Sequence, residues 1–415
     1  MPATTDAVFA FLVAGLVAWL LVPPAEALAR RVGAIDYPRE RGLHDKPTPK
    51  LSGIAILAGV LVAGAIWLPW DGETRAILGG AAAIALVGVA DDIWELSPPV
   101  KLVGQIGAAL IPVLAGVRPE NVTLPFVGGV ELGWVAYPAT VIGIVAAVNT
   151  LNFIDGVDGL ASGVCAIASA AFAAIALSLD RNAAGVLAAA MAGSCLGFLR
   201  HGFPPASSFM GDTGSNLLGF LLGVTVVQGA LKTNAVIALA LPLVVLAVPI
   251  LDTSFVVAKR IKYRQPIYQA DRWHFHHRMA NIGFSQRQTL AYLYGWTLTL
   301  SGLALALRFI PYSDDHGHFH AGWTALMAGC LVAALAASAY LVVVLEILKL
   351  RRFRFRQIAG ARSSAGGVPP SEEEVEAGVA RELETGSFAT LDPETGEFKT
   401  LDPDTGEFEA LPKEP

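Results

Sequence analysis

The chain has 415 residues, of which 54% are hydrophobic and 15% are charged, and its mean hydropathy is +0.55. This composition lies outside the range of ordinary soluble domains and excludes them as a class. The three cysteines, Cys165, Cys195 and Cys330, fall within apolar runs, so they indicate neither a disulfide framework nor a cysteine-based metal site. The sequence therefore predicts a membrane protein.

Eleven apolar runs are long enough to cross a hydrocarbon layer of about 30 Å, which takes roughly 20 helical residues. They lie at 7–23, 51–68, 74–90, 101–116, 134–150, 160–179, 183–199, 214–230, 235–258, 289–308 and 322–348. The first run lacks the basic start and the small-residue cleavage motif of a signal peptide, so we interpret it as a span. The predicted fold is all-α, a polytopic membrane helical bundle with about eleven transmembrane helices.

Lys and Arg residues are unequally distributed between the two sets of loops. Twenty of them lie in the segments 24–50, 91–101, 200–213, 259–288 and 349–356, and five lie in the opposite loops. Because short cytoplasmic loops carry the excess of positive charge, this bias predicts an external N-terminus and a cytoplasmic C-terminus.

The segment 357–415 differs in composition from the membrane domain, which we place at 1–356. It contains 14 acidic and 4 basic side chains, and a ten-residue repeat gives TLDPETGEFK (390–399) and TLDPDTGEFE (400–409). Such a sequence buries too little apolar area to offset the entropy cost of ordering it. We expect a disordered, acidic, low-complexity cytoplasmic tail, with a binding segment as the alternative.

Five polar clusters interrupt the apolar pattern, and all of them lie in predicted cytoplasmic loops or helix ends. They are GLHDKPTPKLSG (42–53), ADDIWELSPPVK (90–101), NTLNFIDGVDGLASG (149–163), FMGDTGSN (209–216) and RQPIYQADRWHFHHRM (264–279). The outer loops carry few ionisable residues. This convergence predicts one active site at the cytoplasmic face.

The second cluster places Asp91 and Asp92 at the end of a predicted span. An isolated pair of aspartates at a helix end is commonly a solvated cap. Two adjacent carboxylates at the bilayer boundary repel each other, however, unless a proton or a cation intervenes. Together with the other clusters, the pair is predicted to be functional.

The third cluster spaces its polar residues by three. Asn149 and Asn152 therefore share one face of a helix, and Asp155 and Asp158 are each followed by a glycine that frees the backbone to approach a ligand. Capping of a helix end explains one aspartate and one glycine. It does not explain four polar side chains around a DGxDG pattern, which favours a functional role.

The fourth cluster places Asp212 between two glycines, three residues after Phe209. A helix start of this kind favours phosphate, and a carboxylate is a hard oxygen ligand that suits Mg²⁺. A simple turn with an N-cap is the alternative. Lys46 and Lys50, in the first cluster, are either positive-inside anchors or phosphate contacts.

The fifth cluster contains three histidines within four residues, namely His274, His276 and His277, with Arg272 nearby. A zinc site is one interpretation, but cysteine is absent and this spacing does not present three imidazoles to one tetrahedral ion on a regular helix. Arginine with several histidines fits a pyrophosphate better.

Taken together, the clusters supply oxygen ligands for a divalent metal and glycines and basic side chains for phosphates. Neither a Ser-His-Asp order nor a Walker loop is present. This combination predicts metal-dependent phosphoryl transfer. A site at the membrane boundary favours a lipid phosphate as one substrate and a cytoplasmic nucleotide derivative as the other.

The order of the motifs resembles that of the polyprenyl-phosphate N-acetylhexosamine-1-phosphate transferases, glycosyltransferase family 4. The matching patterns are DDxxxLxxxxK from Asp91, NxxNxxDGxDGLAxG from Asn149, FMGDTGS from Phe209 and PxxxxDRxHxHHRM from Pro266. The resemblance covers about residues 7–350. Within the family, the chain looks most like the bacterial undecaprenyl-phosphate N-acetylglucosamine-1-phosphate transferases, which start teichoic acid, O-antigen, arabinogalactan or enterobacterial common antigen synthesis.

The resemblance implies a reaction in the bacterial plasma membrane. The phosphate of undecaprenyl phosphate attacks the β-phosphorus of UDP-N-acetylglucosamine (UDP-GlcNAc), which gives lipid-linked GlcNAc pyrophosphate and UMP, with Mg²⁺ or Mn²⁺ as the cofactor. The expected partners are these two substrates and membrane lipids, with no nucleic acid, and a homodimer is left open.

The resemblance also implies roles for individual residues. Asp212 ligates the metal, with help from Asn152, and Asp91 or Asp92 orients or deprotonates the lipid phosphate.

On the nucleotide side, the resemblance implies that Asp155 and Asp158 line the pocket and that Phe209 stacks on uracil. Lys46 and Asn149 are further candidates for substrate binding. The pyrophosphate is expected to contact four residues of the fifth cluster: Arg272, His274, His276 and His277.

Three alternatives stay open at this point. The phospho-N-acetylmuramoyl-pentapeptide transferase branch of the family normally has TPTMGG where this chain has TPKLSG, with Ser52 in place of the first paired glycine, and a different histidine run. A sugar-nucleotide transporter places its binding residues near the bilayer midplane and often contains repeats. A CDP-alcohol phosphotransferase needs an arginine that is missing after DGVDG.

Overall fold

The computed structural model describes residues 2–37, 47–119, 121–124, 128–230, 285–310 and 320–334, residues 336 and 338, and three short segments of the tail. Its helices are α1 (Pro2–Val32), α2 (Gly53–Trp67), α3 (Gly72–Trp94), α4 (Pro98–Leu114), α5 (Ala136–Ile154), α6 (Leu160–Ser178), α7 (Asn182–Gly202), α8 (Gly211–Ala230), α9 (Gln286–Phe309) and α10 (Ala321–Ala334). A 3₁₀ turn at Gly133–Val135 precedes α5.

Two small antiparallel pairs connect helices. Strand β1 (Ile35–Asp36) pairs with β2 (Thr48–Pro49) between α1 and α2, and β3 (Asn121–Leu124) pairs with β4 (Gly128–Glu131) between α4 and α5. The rest of this part of the fold is helical, as the apolar pattern predicts.

The ten helices coincide with ten of the eleven predicted spans, and the remaining span, 235–258, lies outside the described residues. Within the described part, six helices are long and apolar enough to cross a membrane, namely α1, α3, α5, α6, α7 and α9. Helices α2, α4 and α10 are apolar but shorter. The all-α, multi-pass membrane fold is confirmed, whereas the number of eleven spans stays a prediction.

Helix α1 separates large from small apolar side chains. Leu12, Leu16 and Leu20 are each more than half exposed, whereas Ala14 and Ala18 are fully buried against the neighbouring helices. Soluble proteins rarely expose a continuous apolar surface of this kind. In a bilayer the leucines contact lipid, while the alanines let helices approach closely.

Helix α3 has a defined cap at each end, and α4 begins shortly after it. Helix α3 begins at Asp71, whose carboxylate accepts a hydrogen bond from the Thr74 amide at 2.7 Å. It ends at Glu95, which has a left-handed backbone with φ of 48°. Helix α4 starts three residues later with Pro98, which suits a first turn because that position needs no amide donor.

The tail differs in one respect from the disorder expected of it. Three short strands, β5 (Ala389–Leu391), β6 (Phe398–Leu401) and β7 (Phe408–Ala410), pair in order as an antiparallel sheet. Leu391 pairs with Phe398, and Leu401 pairs with Phe408. The ten-residue repeat explains the two equal hairpins, because Asp-Pro and Thr-Gly favour turns and the residues between them favour strands.

Helix α3 passes close to the first turn of α8 at Gly88. A Cβ atom at this position would lie only 2.6 Å from the carbonyl oxygen of Asp212 and would also meet the backbone of Thr213. The approach of the two helices therefore requires glycine here. Gly79, on the same helix, has nothing within 4 Å of an added Cβ.

We predict that Gly88→Ala lowers stability by about 1–3 kcal/mol, because the extra methyl group forces α3 and α8 apart. The matched control Gly79→Ala should be neutral or slightly stabilising, since alanine favours a helix. Thermal unfolding of the purified chain in detergent measures both effects. Equal melting temperatures for the two variants would contradict the close packing at Gly88.

Candidate active site

The carboxylate of Asp92 holds the N-terminus of α8. Its Oδ1 accepts a hydrogen bond from the Asp212 amide at 3.0 Å, and its Oδ2 accepts from the amide and the hydroxyl of Thr213 at 3.0 and 2.7 Å. Asp92 is almost fully buried. Because the first amides of a helix lack internal partners and carry partial positive charge, a buried carboxylate stabilises them well.

Gly211 makes this contact possible. Its φ is +66°, a left-handed backbone that favours glycine, and an added Cβ would lie 2.5 Å from Oδ2 of Asp92. The glycine before Asp212 is therefore required by the position of Asp92. Asp92 is consequently engaged in positioning α8, and its direct action on a lipid phosphate stays a prediction.

The segment before α2 lies alongside the segment before α8. The Phe209 amide donates to the Pro49 carbonyl at 2.8 Å, and the Ser52 amide donates to the Phe209 carbonyl at 3.1 Å. The hydroxyls of Ser52 and Ser208 are 2.5 Å apart and buried. Ser52, which departs from the family's glycine, therefore has a partner at Ser208.

Lys101 connects two carboxylates from different helices. Its Nζ lies 2.7 Å from Oδ2 of Asp91, at the end of α3, and 3.0 Å from Oδ1 of Asp212, at the start of α8. The other oxygen of Asp91 accepts a hydrogen bond from the Leu96 amide at 2.8 Å. Asp91 thus orients Lys101, and the lysine offsets the repulsion between the two aspartates.

Asn152 orients Asp212 from helix α5. Its Nδ2 donates to Oδ1 of Asp212, and to the Ser215 hydroxyl at 2.9 Å. Burial acts to raise the pKa of Asp212, but the hydrogen bond with Asp91 and the charge of Lys101 outweigh it and hold that pKa below its ordinary value. The Asp212 side chain remains 31% exposed, so an ionised carboxylate faces the solvent side of the cluster.

Asp155 follows the last turn of α5 and is partly buried. Within the described residues its carboxylate makes no hydrogen bond or ion pair. Burial raises the pKa of Asp155 well above its ordinary value, and the negative charges of Asp212, Asp92 and Asp158 raise it further. A carboxylate in this situation is the natural place for a cation or a hydrogen-bond donor from a ligand.

Asp158 has a different environment. Its Oδ2 accepts a hydrogen bond from the Ala206 amide at 3.1 Å, in the segment between α7 and α8. Asp158 therefore connects the start of α6 to the loop that carries Phe209. Its charge acts on Asp155, so the two aspartates of the DGVDG segment are close to each other.

Asn149 contacts a different helix. Its Nδ2 donates to Oε1 of Gln105 at 2.8 Å and to the carbonyl of Val145 at 2.9 Å. Gln105 is almost fully buried on α4. The pair connects α4 with α5, and the substrate-binding role of Asn149 stays a prediction.

The structure brings several predicted site residues into one group at the ends of α3 and α5 and the start of α8. They are Asp91, Asp92, Asn152, Asp155 and Asp212, with Asp158 and Phe209 in the adjoining loops. The other candidates, Lys46, Arg272, His274, His276 and His277, lie outside the described residues. Among the residues that are described, no three His, Cys, Asp or Glu side chains form a group that could hold a metal ion.

Sequence reasoning assigned no role to Lys101, Gln105 or Thr213. Lys101 had the clearest signal, because it is the one charged residue of α4, ten residues after Asp91 and just beyond a Pro-Pro helix start. Gln105 follows one turn later on α4. The role of Thr213 depends on a contact with α3 that no local pattern indicates.

Comparison with known proteins identifies the family to which this part of the chain belongs. The sequence profile of glycosyl transferase family 4 matches residues 74–230, which run from α3 to α8 and contain the described cluster. A relative from Bacillus subtilis, named probable undecaprenyl-phosphate N-acetylglucosaminyl 1-phosphate transferase, is 39% identical over 72% of this chain and 84% of its own. The chain belongs to glycosyl transferase family 4.

Two further members of the family differ in their named substrates. A decaprenyl-phosphate N-acetylglucosaminephosphotransferase from Mycobacterium tuberculosis is 33% identical over 79% of this chain and 87% of its own. A phospho-N-acetylmuramoyl-pentapeptide-transferase from Synechococcus sp. is 34% identical over 71% of this chain and 86% of its own. The resemblance to glycosyl transferase family 4 is thus confirmed for this chain.

We predict that Asp92→Ala lowers stability by about 2–4 kcal/mol, because it leaves two amides and a hydroxyl buried without an acceptor. The matched control is Asp71→Ala, which removes a single, partly exposed N-cap from α3 and should cost about 1 kcal/mol. Thermal unfolding in detergent compares the variants. An Asp92→Ala protein as stable as the Asp71→Ala protein would show that Asp92 does not hold α8.

Proposed function

We propose that this chain transfers GlcNAc 1-phosphate from UDP-GlcNAc to undecaprenyl phosphate and releases UMP. The observation that carries the proposal is the group of Asp91, Lys101 and Asp212, which joins α3, α4 and α8. Asp155, which has no ion-pair or hydrogen-bond partner among the described residues, lies near this group. The names of the Bacillus subtilis and Mycobacterium tuberculosis relatives supply the substrate class. In the cell the reaction is the first membrane step of an envelope polysaccharide.

The reaction needs charge neutralisation more than it needs a base. An oxygen of the lipid phosphate forms a bond to the β-phosphorus, and the bond from that phosphorus to the oxygen bridging the two phosphates breaks, so UMP leaves with the electron pair. A phosphate monoester with a second pKa near 6 is already mostly dianionic at neutral pH. The problem for the protein is therefore to bring two anions together.

Lys101 meets part of this requirement. Its ammonium group lies between Asp91 and Asp212, so a cation is fixed at the point where α3, α4 and α8 meet. A phosphate that approaches this point gains from the lysine, and Asp91 keeps the lysine oriented through the contact at 2.7 Å. In this proposal Asp91 acts on the lipid phosphate by way of Lys101.

A divalent metal, Mg²⁺ or Mn²⁺, fits the oxygen donors of this site. Mg²⁺ commonly uses only one or two carboxylates and completes its shell with water and substrate phosphates, so a group of three acidic side chains is not needed. The exposed carboxylate of Asp212 is the proposed ligand, and Asn152 positions it. When bound, the ion would neutralise charge on the pyrophosphate.

The nucleotide is proposed to lie against the DGVDG segment and the loop before α8. Asp155 offers a carboxylate that makes no hydrogen bond or ion pair with the part of the chain that the structure describes. Phe209 lies in a loop held on both sides by backbone hydrogen bonds, and its ring is proposed to stack on uracil. Five further side chains are proposed to contact the pyrophosphate and the sugar phosphate: Lys46, Arg272, His274, His276 and His277.

The same arrangement supports an orientation in the bacterial plasma membrane. The acidic group lies at the end of the bundle where α1 ends with Arg30 and Arg31, and the positive charges favour the cytoplasm. We therefore propose an external N-terminus and a cytoplasmic C-terminus, with the active site on the side where UDP-GlcNAc is found. A transporter would need its polar group near the midplane, whereas this group lies at helix ends.

Transfer of phospho-N-acetylmuramoyl-pentapeptide is the second candidate, since the Synechococcus relative carries that name at 34% identity. The TPKLSG segment and the HFHH run favour GlcNAc. A panel of UDP-sugars, including UDP-GlcNAc and UDP-N-acetylmuramoyl-pentapeptide, separates the two candidates through the mass of the lipid product.

We predict that purified membranes containing this chain form a butanol-extractable labelled lipid from radiolabelled UDP-GlcNAc and undecaprenyl phosphate when Mg²⁺ is present. Asp212→Asn should lower the rate by roughly 100-fold or more, because it removes the proposed metal ligand. Asp71→Asn, at the opposite end of α3, serves as the control and should keep the rate. The proposal fails if no labelled lipid forms, or if Asp212→Asn is fully active.

We predict that the two aspartates of DGVDG differ in their response to amide substitution. Asp155→Asn removes a carboxyl group that can ionise when a cation or a hydrogen-bond donor of the ligand binds, and it should lower kcat/KM by roughly 100-fold. Asp158→Asn keeps an oxygen that can accept from the Ala206 amide, so its loss should be about tenfold or less, with a larger loss for Asp158→Ala. Equal losses for Asp155→Asn and Asp158→Asn would rule out this division of roles.

A further inference from the structure

Helix α9 contacts the DGVDG segment through the side chain of Tyr294. The tyrosine hydroxyl donates a hydrogen bond to the carbonyl of Gly159 at 2.5 Å. Gly159 has a left-handed backbone with φ of 73° and directly follows Asp158. The contact therefore fixes the peptide at which the chain leaves the DGVDG turn and enters α6.

The packing around this hydroxyl is specific for an aromatic ring. Gly163, one turn into α6, has no side chain, and an added Cβ there would overlap the Tyr294 ring. The ring thus lies in a recess that glycine creates. Tyr292, two residues earlier on α9, points elsewhere and is 61% exposed.

A second contact from α9 reaches the loop on the other side of Asp158. Nε of Arg287 donates to the Pro204 carbonyl at 3.1 Å, and two residues further on the Ala206 amide donates to Asp158. Helix α9 therefore contacts both chain segments that meet at Asp158. It does so without contributing a side chain to the acidic group itself.

The start of α9 is independently well defined. Ser285 and Gln288 form a capping box, in which the Gln288 amide donates to the serine hydroxyl and the Ser285 amide donates to the glutamine side chain. At its other end, Arg308 donates to the hydroxyl and the carbonyl of Ser178, at the end of α6. The helix is thus fixed at both ends and can hold Tyr294 in place.

From these contacts we infer that Tyr294 is a positioning residue for the nucleotide side of the site. It fixes the Gly159 carbonyl and so sets the direction of Asp158 and of the DGVDG turn, while Arg287 fixes the loop opposite. The inference rests on the proposed function for its substrate, a uridine diphosphate sugar. It assigns to α9 a role that none of the predicted site residues covers.

The expected effect is moderate, because the Gly159 carbonyl also accepts the Gly163 amide at 2.9 Å and the Ser162 hydroxyl at 3.1 Å. Loss of the tyrosine hydroxyl therefore does not leave this carbonyl without a donor. What is lost is the restraint that connects the turn to α9.

We predict that Tyr294→Phe raises the KM for UDP-GlcNAc about three- to tenfold, as expected for one lost hydrogen bond. The kcat and the KM for undecaprenyl phosphate should change by less than about twofold, because phenylalanine keeps the ring in its recess. The matched control Tyr292→Phe should behave like the wild type. Steady-state kinetics of the full chain in detergent with Mg²⁺ measure all three constants.

Hydrogen–deuterium exchange of the full chain supplies a second measurement that needs no turnover. The peptide covering 155–163 should exchange faster in Tyr294→Phe than in the wild type and in Tyr292→Phe. Faster exchange with a raised KM supports the inference. An unchanged KM for UDP-GlcNAc, or a fall in kcat alone, overturns it. A wild-type chain without transferase activity would instead overturn the proposed function. In that case exchange at 155–163 still tests the positioning contact, and equal exchange in Tyr294→Phe and the wild type would overturn it as well.

Discussion

The structure of the site depends on the buried carboxylate of Asp92, which lies near the end of α3 and accepts hydrogen bonds from the start of α8. Asp92 accepts the amides of Asp212 and Thr213, and this contact sets the position of α8 relative to α3. Asp212 takes its place from that position, since it can reach Lys101 and Asn152 only when the first turn of α8 lies where Asp92 holds it. The two adjacent aspartates therefore have different roles: Asp92 holds the start of α8, and Asp91 orients the ammonium group of Lys101.

The balance of charge in the group explains why its members differ. Lys101 compensates Asp91 and Asp212 directly, and the α8 N-terminus compensates Asp92. Asp155 receives neither form of compensation within the described residues. Three carboxylates thus have a compensating partner, whereas Asp155 has none in the part of the chain that the structure describes. Such a residue gains the most when a ligand arrives, which makes it the most informative position in the site.

The sequence allowed the class of fold to be predicted, and it singled out several residues that the structure brings together, for two physical reasons. Long apolar runs are required for any helix that crosses a bilayer, so they are visible without tertiary information. Carboxylates and amides at the ends of such runs are costly and therefore conspicuous, as with Asp91, Asn152 and Asp212.

Positioning contacts were harder to predict. The tyrosine at 294, the serine at 208 and the glutamine at 105 are ordinary residues locally, and only their partners on other helices give them a role. The strands of the tail were not predicted, because composition alone suggested disorder. The ten-residue repeat explains them, since it places two similar hairpins one after the other.

The close packing at Gly88 has a consequence for how this end of the molecule can vary. A methyl group is already too large there, and the same holds at Gly53, where an added Cβ would lie 2.7 Å from the Met210 carbonyl. Both positions contact the first turn of α8 or the residue before it, so the spacing around Asp212 cannot be widened gradually by larger side chains. Adaptation to a different sugar is therefore expected outside this first turn. A change of sugar preference made there would leave the spacing around Asp212 intact.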